Sequence, residues 1–388
     1  MLKLSFVQRL VSPVDGATFP ADRPQSMHAG RPLLVQYDLA AVAAELENAS
    51  FSDRPSTMWR YRELLPAPAG GSDAIVSLGE GMTPLLRADR LGARLGISNL
   101  FVKDESQLPT GSFKSRGMSV AVTMARSFGF ERVALPSAGN AGSALAAYAA
   151  RAGIEAHIFM PADTPPVNVR EARSAGAEVT LVDGLITDCG RVVREDRDRV
   201  GWFDLSTMRE PYRLEGKKTI GLEIAEQFGW SLPDVIIAPT GGGTCVIGMW
   251  KAFLELMQLG FVDEDDLPRI VAVQSDGCCP LVRAFESEAP AASPFENPRT
   301  IARGLRVPST IGDSLVLNAL HQSGGRAIAV SEERIPDWMS DAASTEGISM
   351  GPEAATCIGA LERLRASKWI SSDDVVVVIN SAGDKSCG

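Results

Sequence analysis

The sequence has no basic cluster and no long apolar run, and each absence excludes a class of protein. Its 388 residues carry a net charge of −10, and the longest run of basic residues is Lys217-Lys218. Nucleic acids and anionic membrane surfaces repel an acidic chain, so neither is expected as a partner. No apolar stretch approaches the ~20 residues of a membrane span, and the N-terminus lacks the apolar segment of a signal peptide.

Paired cysteine motifs are also absent. The cysteines are scattered without CxxC spacing, and the adjacent pair among them is poorly suited to bridging to itself. We therefore expect a soluble globular protein of the reducing cytoplasm that has no metal site. The cysteines are Cys189, Cys245, Cys278, Cys279, Cys357 and Cys387.

The length of the chain fits two domains. From Ile75 onward, apolar runs alternate with amphipathic helical stretches, a rhythm that predicts an α/β fold with mostly parallel sheets covered by helices. We expect a small α/β domain (117–212) inserted in a large one (51–116 and 213–388), an N-terminal appendage (1–50), and a functional site in the cleft. The predicted strands are Leu100–Lys103, Arg132–Leu135, Ala156–Met160, Glu178–Val182, Asp234–Ala238, Ile270–Gln274, Ala327–Val330 and Val375–Ile379.

One lysine, Lys114, follows the turn Pro109-Thr-Gly111 at the start of a predicted helix. The hydroxyl of Ser112 can cap that helix. The positive end of the helix dipole disfavours an ammonium in the first turn, so Lys114 is a candidate for a covalently bound cofactor. A solvated surface lysine is the alternative interpretation.

Two glycine-rich turns and one serine follow predicted strands. The segment 135–142 precedes an alanine-rich helix and offers backbone amides and the Asn140 amide to an anion; alternatively, it is only a tight turn. Gly241-Gly-Gly243 before Thr244 predicts a nest of N–H groups for a phosphate monoester. This turn is neither a Walker loop nor GxGxxG, which disfavours nucleotides. Ser381 lies at the carboxyl end of the last strand, where α/β sites collect.

Together these residues resemble the fold type II pyridoxal-phosphate enzymes and, within them, the threonine synthase family. The resemblance covers about residues 75–385. The matching segments are Gly79-Glu-Gly-Met-Thr-Pro-Leu85, Lys103-Asp-Glu105, Pro109-Thr-Gly-Ser-Phe-Lys-Ser-Arg-Gly117, Ser137-Ala-Gly-Asn140, Tyr212-Arg-Leu-Glu-Gly-Lys-Lys-Thr219 and Gly241-Gly-Gly-Thr244.

The resemblance implies pyridoxal 5'-phosphate as cofactor, a small amino acid as substrate, and a homodimer. It implies that Lys114 holds the cofactor covalently, with Phe113 beside it, and that Asn140 bonds the phenolic oxygen. Residues 241–244 (Gly241, Gly242, Gly243 and Thr244) would hold the phosphate. Ser381 would face the ring nitrogen, and a hydroxyl there favours elimination and replacement over aminotransfer. Implied substrate contacts are Ser137, Ala138, Gly139, Ala141, Thr207, Arg213 and Lys217.

The N-terminus departs from the zinc-ribbon members of that family, which carry CxxCG and CxCG motifs. The corresponding places read Ser12-Pro-Val-Asp-Gly16 and Met27-His-Ala-Gly30, before Tyr37-Asp-Leu39. All four thiolates are absent, and His28 alone builds no tetrahedral site. We expect a metal-free remnant.

The substrate segment departs as well. Where family members have a segment similar to Asn-Ser-Val-Asn-Pro-His-Arg for the substrate phosphate, this chain has Thr207-Met-Arg-Glu-Pro-Tyr-Arg213. Met208 replaces a hydroxyl, and Glu210 adds a carboxylate near the expected dianion, although Arg209 and Lys217 offset its charge. The cofactor is therefore better defined than the substrate.

Three hypotheses follow. The first is a lyase that converts O-phospho-L-homoserine and water to L-threonine and phosphate, with Lys114 as base and acid. The second keeps the cofactor but performs β-elimination or β-replacement on serine, threonine or an O-activated serine. The third is a non-catalytic cofactor-binding module in which Lys114 is inert.

Overall fold

The computed structural model of the protein describes residues 2, 4–47, 51–69 and 71–384. Cys387 lies outside them. The strands are β1 (Val7–Val11), β2 (Thr18–Phe19), β3 (Met27–His28), β4 (Arg31–Pro32), β5 (Leu34–Tyr37), β6 (Leu85–Arg87), β7 (Asn99–Asp104), β8 (Arg132–Pro136), β9 (Glu155–Pro161), β10 (Glu178–Val182), β11 (Phe203–Asp204), β12 (Val235–Pro239), β13 (Arg269–Ser275), β14 (Arg326–Val330) and β15 (Val375–Asn380). The α-helices are α1 (Leu39–Leu46), α2 (Asp89–Leu95), α3 (Lys114–Ser127), α4 (Asn140–Ala152), α5 (Pro166–Ser174), α6 (Ile186–Val200), α7 (Tyr212–Gln227), α8 (Thr244–Gln258), α9 (Pro280–Glu286), α10 (Asp313–Gln322), α11 (Ile335–Glu346) and α12 (Pro352–Ala366).

The chain forms two compact units that alternate along the sequence. The first unit comprises Met1–Met82 and Lys114–Thr219, and the second comprises Thr83–Phe113 and Ile220–Gly388. The domain boundaries expected from the sequence, with a small domain at 117–212, remain a prediction.

The second unit is built on one sheet with the order β14-β13-β12-β15-β7-β6. Neighbouring strands are parallel, except that β6 runs antiparallel to β7 at the edge. The central strands β12 and β15 consist mostly of β-branched residues and are almost entirely buried, as a parallel sheet covered on both faces requires. Helices α11 and α12 add Trp338 and Leu361 to the same apolar core.

The first unit holds a parallel sheet with the order β10-β9-β8-β11. Helices α3 and α4 pack together, and Met118, Val122 and Leu145 contribute to one core with Leu135 and Ile158 of the strands. Helix α4 is mostly alanine, which favours the helix and allows close packing. It ends at Ala152, and the following Gly153 has a φ of 69°, which suits a helix C-terminal cap.

The N-terminal segment belongs to the first unit and has a small core of its own. Strands β2, β1 and β5 form an antiparallel sheet around Leu10, Leu33 and Val35. The Tyr37 hydroxyl donates to Glu215 Oε2 of α7 at 2.7 Å, and Ser26 Oγ donates to the Arg209 carbonyl at 2.8 Å. The N-terminal segment is therefore hydrogen-bonded to the segment 207–213 and to α7, which follows it.

All eight predicted strands form, with ends within one residue of the predicted positions. The sequence did not indicate β6 and β11, which are too short to carry a periodicity signal. The alanine-rich helix expected after the segment 135–142 begins inside that segment, at Asn140.

Candidate active site

The carboxyl ends of three parallel strands in the second unit collect several predicted site residues. Strand β15 lies between β12 and β7, with Ile237 opposite Val378 and Asn380 opposite Asp104. The glycine turn follows β12 and Ser381 follows β15, so both lie at the same edge of the sheet. Such an edge is where open α/β sheets bind ligands.

The glycine turn adopts a shape that side chains would prevent. Gly243 has a φ of 86°, and a Cβ there would lie 2.2 Å from Val316 Cγ2. A Cβ on Gly241 would lie 2.3 Å from the carbonyl oxygen of Gly304. The Thr310 hydroxyl donates to the Gly242 carbonyl at 3.0 Å and braces the turn from outside. The missing Cβ atoms allow this conformation, and the Thr310 hydrogen bond restrains it.

The turn fits a phosphate. Gly243 is the cap of α8, so the turn stands at the positive end of a helix dipole. Among the described residues, none accepts a hydrogen bond from the backbone N–H of Gly241, Gly242 or Gly243, although Gly241 and Gly243 are buried. Buried amides require acceptors, and an anion at a helix N-terminus supplies them.

Ser381 is held from both sides. Its carbonyl accepts the Phe113 amide at 2.9 Å, which ties it to the residue before Lys114. The preceding Asn380 donates from Nδ2 to Asp104 Oδ1 at 2.8 Å and to the Ser349 carbonyl at 3.1 Å. This buried Asp104–Asn380 pair was not recognised from the sequence, although Asp104 belongs to a matching segment.

In the first unit, Lys114 and Asn140 each begin a helix. Lys114 is the first residue of α3, as predicted, and Asn140 is the first residue of α4. The turn before Asn140 is ordered by Ser137, whose hydroxyl accepts the Gly142 amide at 2.9 Å and the Gly139 amide at 3.2 Å. Asn168 of α5 donates to the Ala138 carbonyl at 3.0 Å, and Ala141 follows in the first turn of α4. The hydroxyl of Ser137 is therefore engaged within its own turn.

Within the segment 207–213, the structure shows what the Glu210 carboxylate contacts. Glu210 Oε2 accepts the amides of Tyr212 and Arg213 at 2.6 and 3.0 Å, so Glu210 satisfies the first turn of α7. Among the described residues, Glu210 Oε1 has no hydrogen-bond partner. Burial raises the pKa of Glu210 to about 7, and nearby Arg213 opposes that rise. A backbone capping role thus accounts for Glu210.

Arg213 is buried, and its guanidinium bonds to the exposed Thr207 and to Leu205, the residue that follows β11. Its Nη1 donates to the Leu205 carbonyl at 2.7 Å and to Thr207 Oγ1 at 3.3 Å. Burial lowers the pKa of the Arg213 guanidinium, while the Glu210 and Asp204 carboxyls act in the opposite direction. Thr207 and Arg213 are therefore brought together, as the predicted substrate segment requires.

Helices α3 and α7 touch through their backbones. A Cβ on Gly216 would lie 2.1 Å from the Arg116 carbonyl oxygen, and one on Gly117 would lie 3.0 Å from the Arg213 carbonyl oxygen. Arg213 consequently lies beside Gly117, about one helical turn beyond Lys114. Lys217 is buried in the second turn of α7.

The matching segment that begins at Lys103 takes part in a buried network of hydrogen bonds. Lys103 Nζ lies 2.7 Å from Glu223 Oε2, and both side chains are fully buried. Lys103 also donates to the Thr83 carbonyl and to Gln227 Oε1, and Thr83 Oγ1 donates to Glu105 at 2.6 Å. This network joins β7 to the second half of α7.

At the N-terminus, His28 meets a carboxylate. His28 Nε2 lies 2.9 Å from Asp15 Oδ2 and thereby links the two turns that correspond to the family's thiolate motifs. A hydrogen bond from the Ala17 amide and a smaller contribution from the His28 hydrogen bond lower the pKa of Asp15 to about 2. Within residues 2, 4–47, 51–69 and 71–384, there is no group of three or more His, Cys, Asp or Glu residues suited to a metal ion. Among the same residues, no helix is long and apolar enough to span a bilayer.

Comparison with known proteins identifies the family. The family model described as "Pyridoxal-phosphate dependent enzyme" matches residues 76–382. The chain belongs to this family of pyridoxal-phosphate dependent enzymes. Its fold is that of the fold type II members, and its cofactor is pyridoxal 5'-phosphate.

Several curated relatives are named threonine synthase. That of Methanosarcina acetivorans is 38% identical over 348 residues, which cover 89% of this chain and 84% of the relative. That of Methanocaldococcus jannaschii is 36% identical and covers 94% of this chain and 90% of the relative. That of Mycobacterium tuberculosis is 34% identical and covers 83% and 86%, respectively.

Solved structures share the fold with more varied chemistry. A threonine deaminase from T.th. is 25% identical, with a TM-score of 0.66, and covers 78% of this chain and 92% of its own. The Escherichia coli diaminopropionate ammonia lyase is 20% identical, with a TM-score of 0.70, and covers 80% and 87%. The predicted fold class, cofactor and enzymatic nature are confirmed, and the non-catalytic alternative is wrong.

Proposed function

We propose that this enzyme converts O-phospho-L-homoserine and water to L-threonine and phosphate. The observation that carries the proposal is the set of threonine synthases that are 34–38% identical over more than four fifths of the chain. The alternative of β-elimination or β-replacement on serine, threonine or an O-activated serine is not favoured, because the solved structures named for deaminase or ammonia-lyase chemistry are only 25% and 20% identical to this chain.

For the cofactor, we propose the residues that the sequence indicated. Lys114, beside Phe113, holds the cofactor covalently, and Asn140 bonds its phenolic oxygen. The N–H groups of 241–244 hold its phosphate, in keeping with the lack of described acceptors for the three glycine amides. The Ser381 hydroxyl would face the ring nitrogen and would leave it unprotonated more readily than a carboxylate does.

For the substrate, we propose that Arg213, Thr207 and Lys217 bind the phosphate, and that the turn 137–141 binds the carboxylate. The Arg213–Thr207 hydrogen bond supports the first group, and the amides at the start of α4 support the second.

The cofactor, when bound, stabilises negative charge that develops at the substrate carbons. Lys114 would lose its bond to the cofactor when the substrate amine takes its place. Its freed amine would then remove the Cα proton and return protons at later steps, because it stands at a helix start where the ammonium form is disfavoured. Arg213 neutralises the phosphate as it departs from Cγ. The engaged Ser137 hydroxyl orders the turn in which the carboxylate is bound.

We further propose a homodimer that works in the cytoplasm with the small domain 117–212 inserted in the larger one. The homodimer is an expectation from the family. The five described cysteines form no disulfide, which supports a reducing compartment. Sedimentation analysis of the purified protein tests the assembly state.

The test of function compares the wild type with Lys114→Ala. We expect the wild type to show a visible absorption band that borohydride abolishes, and to release phosphate and threonine from O-phospho-L-homoserine. Lys114→Ala should lose the band and at least about 1,000-fold in kcat, because both covalent binding and proton transfer are removed.

The matched control replaces an exposed lysine. Lys368 has a φ of 60°, so Lys368→Asn substitutes a residue that tolerates this conformation, and both the band and turnover should persist. A wild type that has the band, but forms keto acid from serine or threonine and no phosphate from O-phospho-L-homoserine, would overturn the proposed reaction.

A further inference from the structure

A buried carboxyl group in the first unit makes two connections to the helix that begins at Lys114. Glu80 is fully buried, and its Oε2 accepts hydrogen bonds from the Tyr148 hydroxyl at 2.7 Å and from the Leu78 amide at 2.8 Å. Its Oε1 accepts the Trp59 indole N–H at 3.2 Å. Each of the two aromatic donors then reaches a serine of α3.

The first connection ends next to Lys114. Burial raises the pKa of the Tyr148 phenol, Glu80 raises it further, and a side-chain hydrogen bond with Ser115 lowers it. Tyr148 thus donates to Glu80 and also interacts with the hydroxyl of Ser115. Ser115 is the second residue of α3 and is fully buried.

The second connection ends one helical turn further along. Trp59 Nε1 donates to Ser119 Oγ at 2.9 Å, and Ser119 donates to the Val76 carbonyl at 2.7 Å. Ser119 is also fully buried. This connection anchors the body of α3 and does not include the residue beside Lys114.

A stable core alone does not call for this arrangement. The carboxyl group sits beside the apolar cluster that includes Met118, Ala121 and Leu145, and burying a carboxyl group is costly even when its bonds are satisfied. Its effect is directional, because satisfied buried networks fix the orientation of their members. The connection through Tyr148 ends at Ser115, in the first turn of α3.

We propose that Tyr148 and Ser115, oriented by Glu80, are positioning residues that set the direction of the Lys114 side chain. This inference rests on the proposed role of Lys114. The backbone of Ser115 carries the peptide bond to Lys114, so a hydroxyl held by Tyr148 restricts the rotation of the first turn. A lysine restricted in this way meets the cofactor in a single orientation, and small misplacements of reacting groups are expensive.

The test uses Tyr148→Phe, Ser115→Ala and the double variant, with Ser119→Ala as the matched control. Ser119→Ala removes a buried hydroxyl of the same network one turn away. Two readouts do not depend on turnover: the rate at which the apoprotein captures pyridoxal phosphate, and the pH midpoint of the visible band of the lysine-bound cofactor.

We expect Tyr148→Phe and Ser115→Ala each to slow capture about tenfold and to shift the midpoint by about half a pH unit or more. The double variant should add little to either single change, because both remove one connection. Ser119→Ala should lower the thermal midpoint of unfolding to a similar degree but leave capture and titration near those of the wild type. If Tyr148→Phe does not fold, Ser115→Ala alone answers the question.

The positioning role is overturned if the Ser115→Ala and Ser119→Ala variants give the same capture rate and titration. This result is distinct from a failure of the proposed function, in which the wild type itself shows no band that borohydride abolishes.

Discussion

Glu210 shows how burial changes the meaning of a single residue. In the sequence it is a carboxylate in the substrate segment. In the structure its Oε2 accepts two amides at the start of α7, while the fully enclosed group has a raised pKa of about 7. A carboxyl group with these properties stabilises the helix start in either protonation state, but it favours the neutral one.

The raised pKa of Glu210 predicts a specific pH dependence. Between the ordinary pKa of 4.5 and about 7, the folded chain keeps a proton that the unfolded chain has lost, so this group makes stability fall as pH rises. Glu210→Gln lacks this dependence. Relative to the wild type, its free energy of unfolding should rise by up to about 3 kcal/mol between pH 4.5 and pH 7.5, as measured by urea unfolding.

Asp374→Asn provides the control for that measurement. The pKa of Asp374 is lowered, and hydrogen bonds from Ser371 and Arg269 outweigh its partial burial. Its contribution is therefore lost only as pH falls below the ordinary range of an aspartate, and its offset from the wild type should be nearly constant from pH 5 to 7.5. A Glu210→Gln offset that is equally constant would contradict the burial argument.

At the scale of elements, the contact between α3 and α7 depends on two glycines. Gly216 places α7 so close to α3 that its absent Cβ would lie 2.1 Å from a backbone oxygen. The matching segment that begins at Tyr212 thus contains a packing residue as well as proposed substrate contacts. Glycine is the residue type that allows such backbone approach.

We predict that Gly216→Ala destabilises the protein by about 2–3 kcal/mol, because the helices must separate to admit one methyl group. Thermal or urea unfolding measures the loss. KM for the phosphorylated substrate should also rise, since Arg213 lies at the same contact.

Gly190→Ala is the matched helical control. Gly190 is buried in α6, but the atom nearest to its absent Cβ is Nη1 of the flexible Arg194 side chain at 3.2 Å. Alanine there should be neutral or should stabilise by up to about 1 kcal/mol, as helix propensity predicts. Equal losses in the two variants would contradict the close approach of α3 and α7.

At the scale of the whole molecule, the described cysteines are shielded from solvent. The five described cysteines are buried and form no disulfide, and they are distributed over both units. Burial raises the pKa of Cys189 to about 11 and also raises the pKa values of Cys278, Cys279 and Cys357. Few thiolates are therefore present at neutral pH.

We predict that thiol reagents modify the folded Cys387→Ser variant at least about tenfold more slowly than the same chain in denaturant. The modification of its cysteines should follow a single dominant rate only after the chain has unfolded. Absorbance from a chromogenic disulfide reagent measures both. Rapid modification of one equivalent in the folded protein would show that a described cysteine is exposed.

Much of the architecture followed from the sequence because its signals are local. Apolar runs such as Val375–Ile379 predict buried parallel strands, and the turn after Pro109 predicts the helix start at Lys114. The glycine turn was recognisable because three successive glycines after a strand have few structural purposes. The short strand Phe203–Asp204 has no such local signal and forms only by pairing with β8.

The sequence by itself indicated the α/β fold through its local periodicity. It indicated the cofactor, and the lysine proposed to bind it, through contiguous motifs that together resemble a known family. Only the tertiary structure decided what Glu210, Gly216 and Glu80 contact. The partners of Glu80 include Trp59 and Tyr148, and Gly216 meets Arg116. Burial and contacts between distant segments set the protonation and orientation of these groups, and neither property is contained in local sequence.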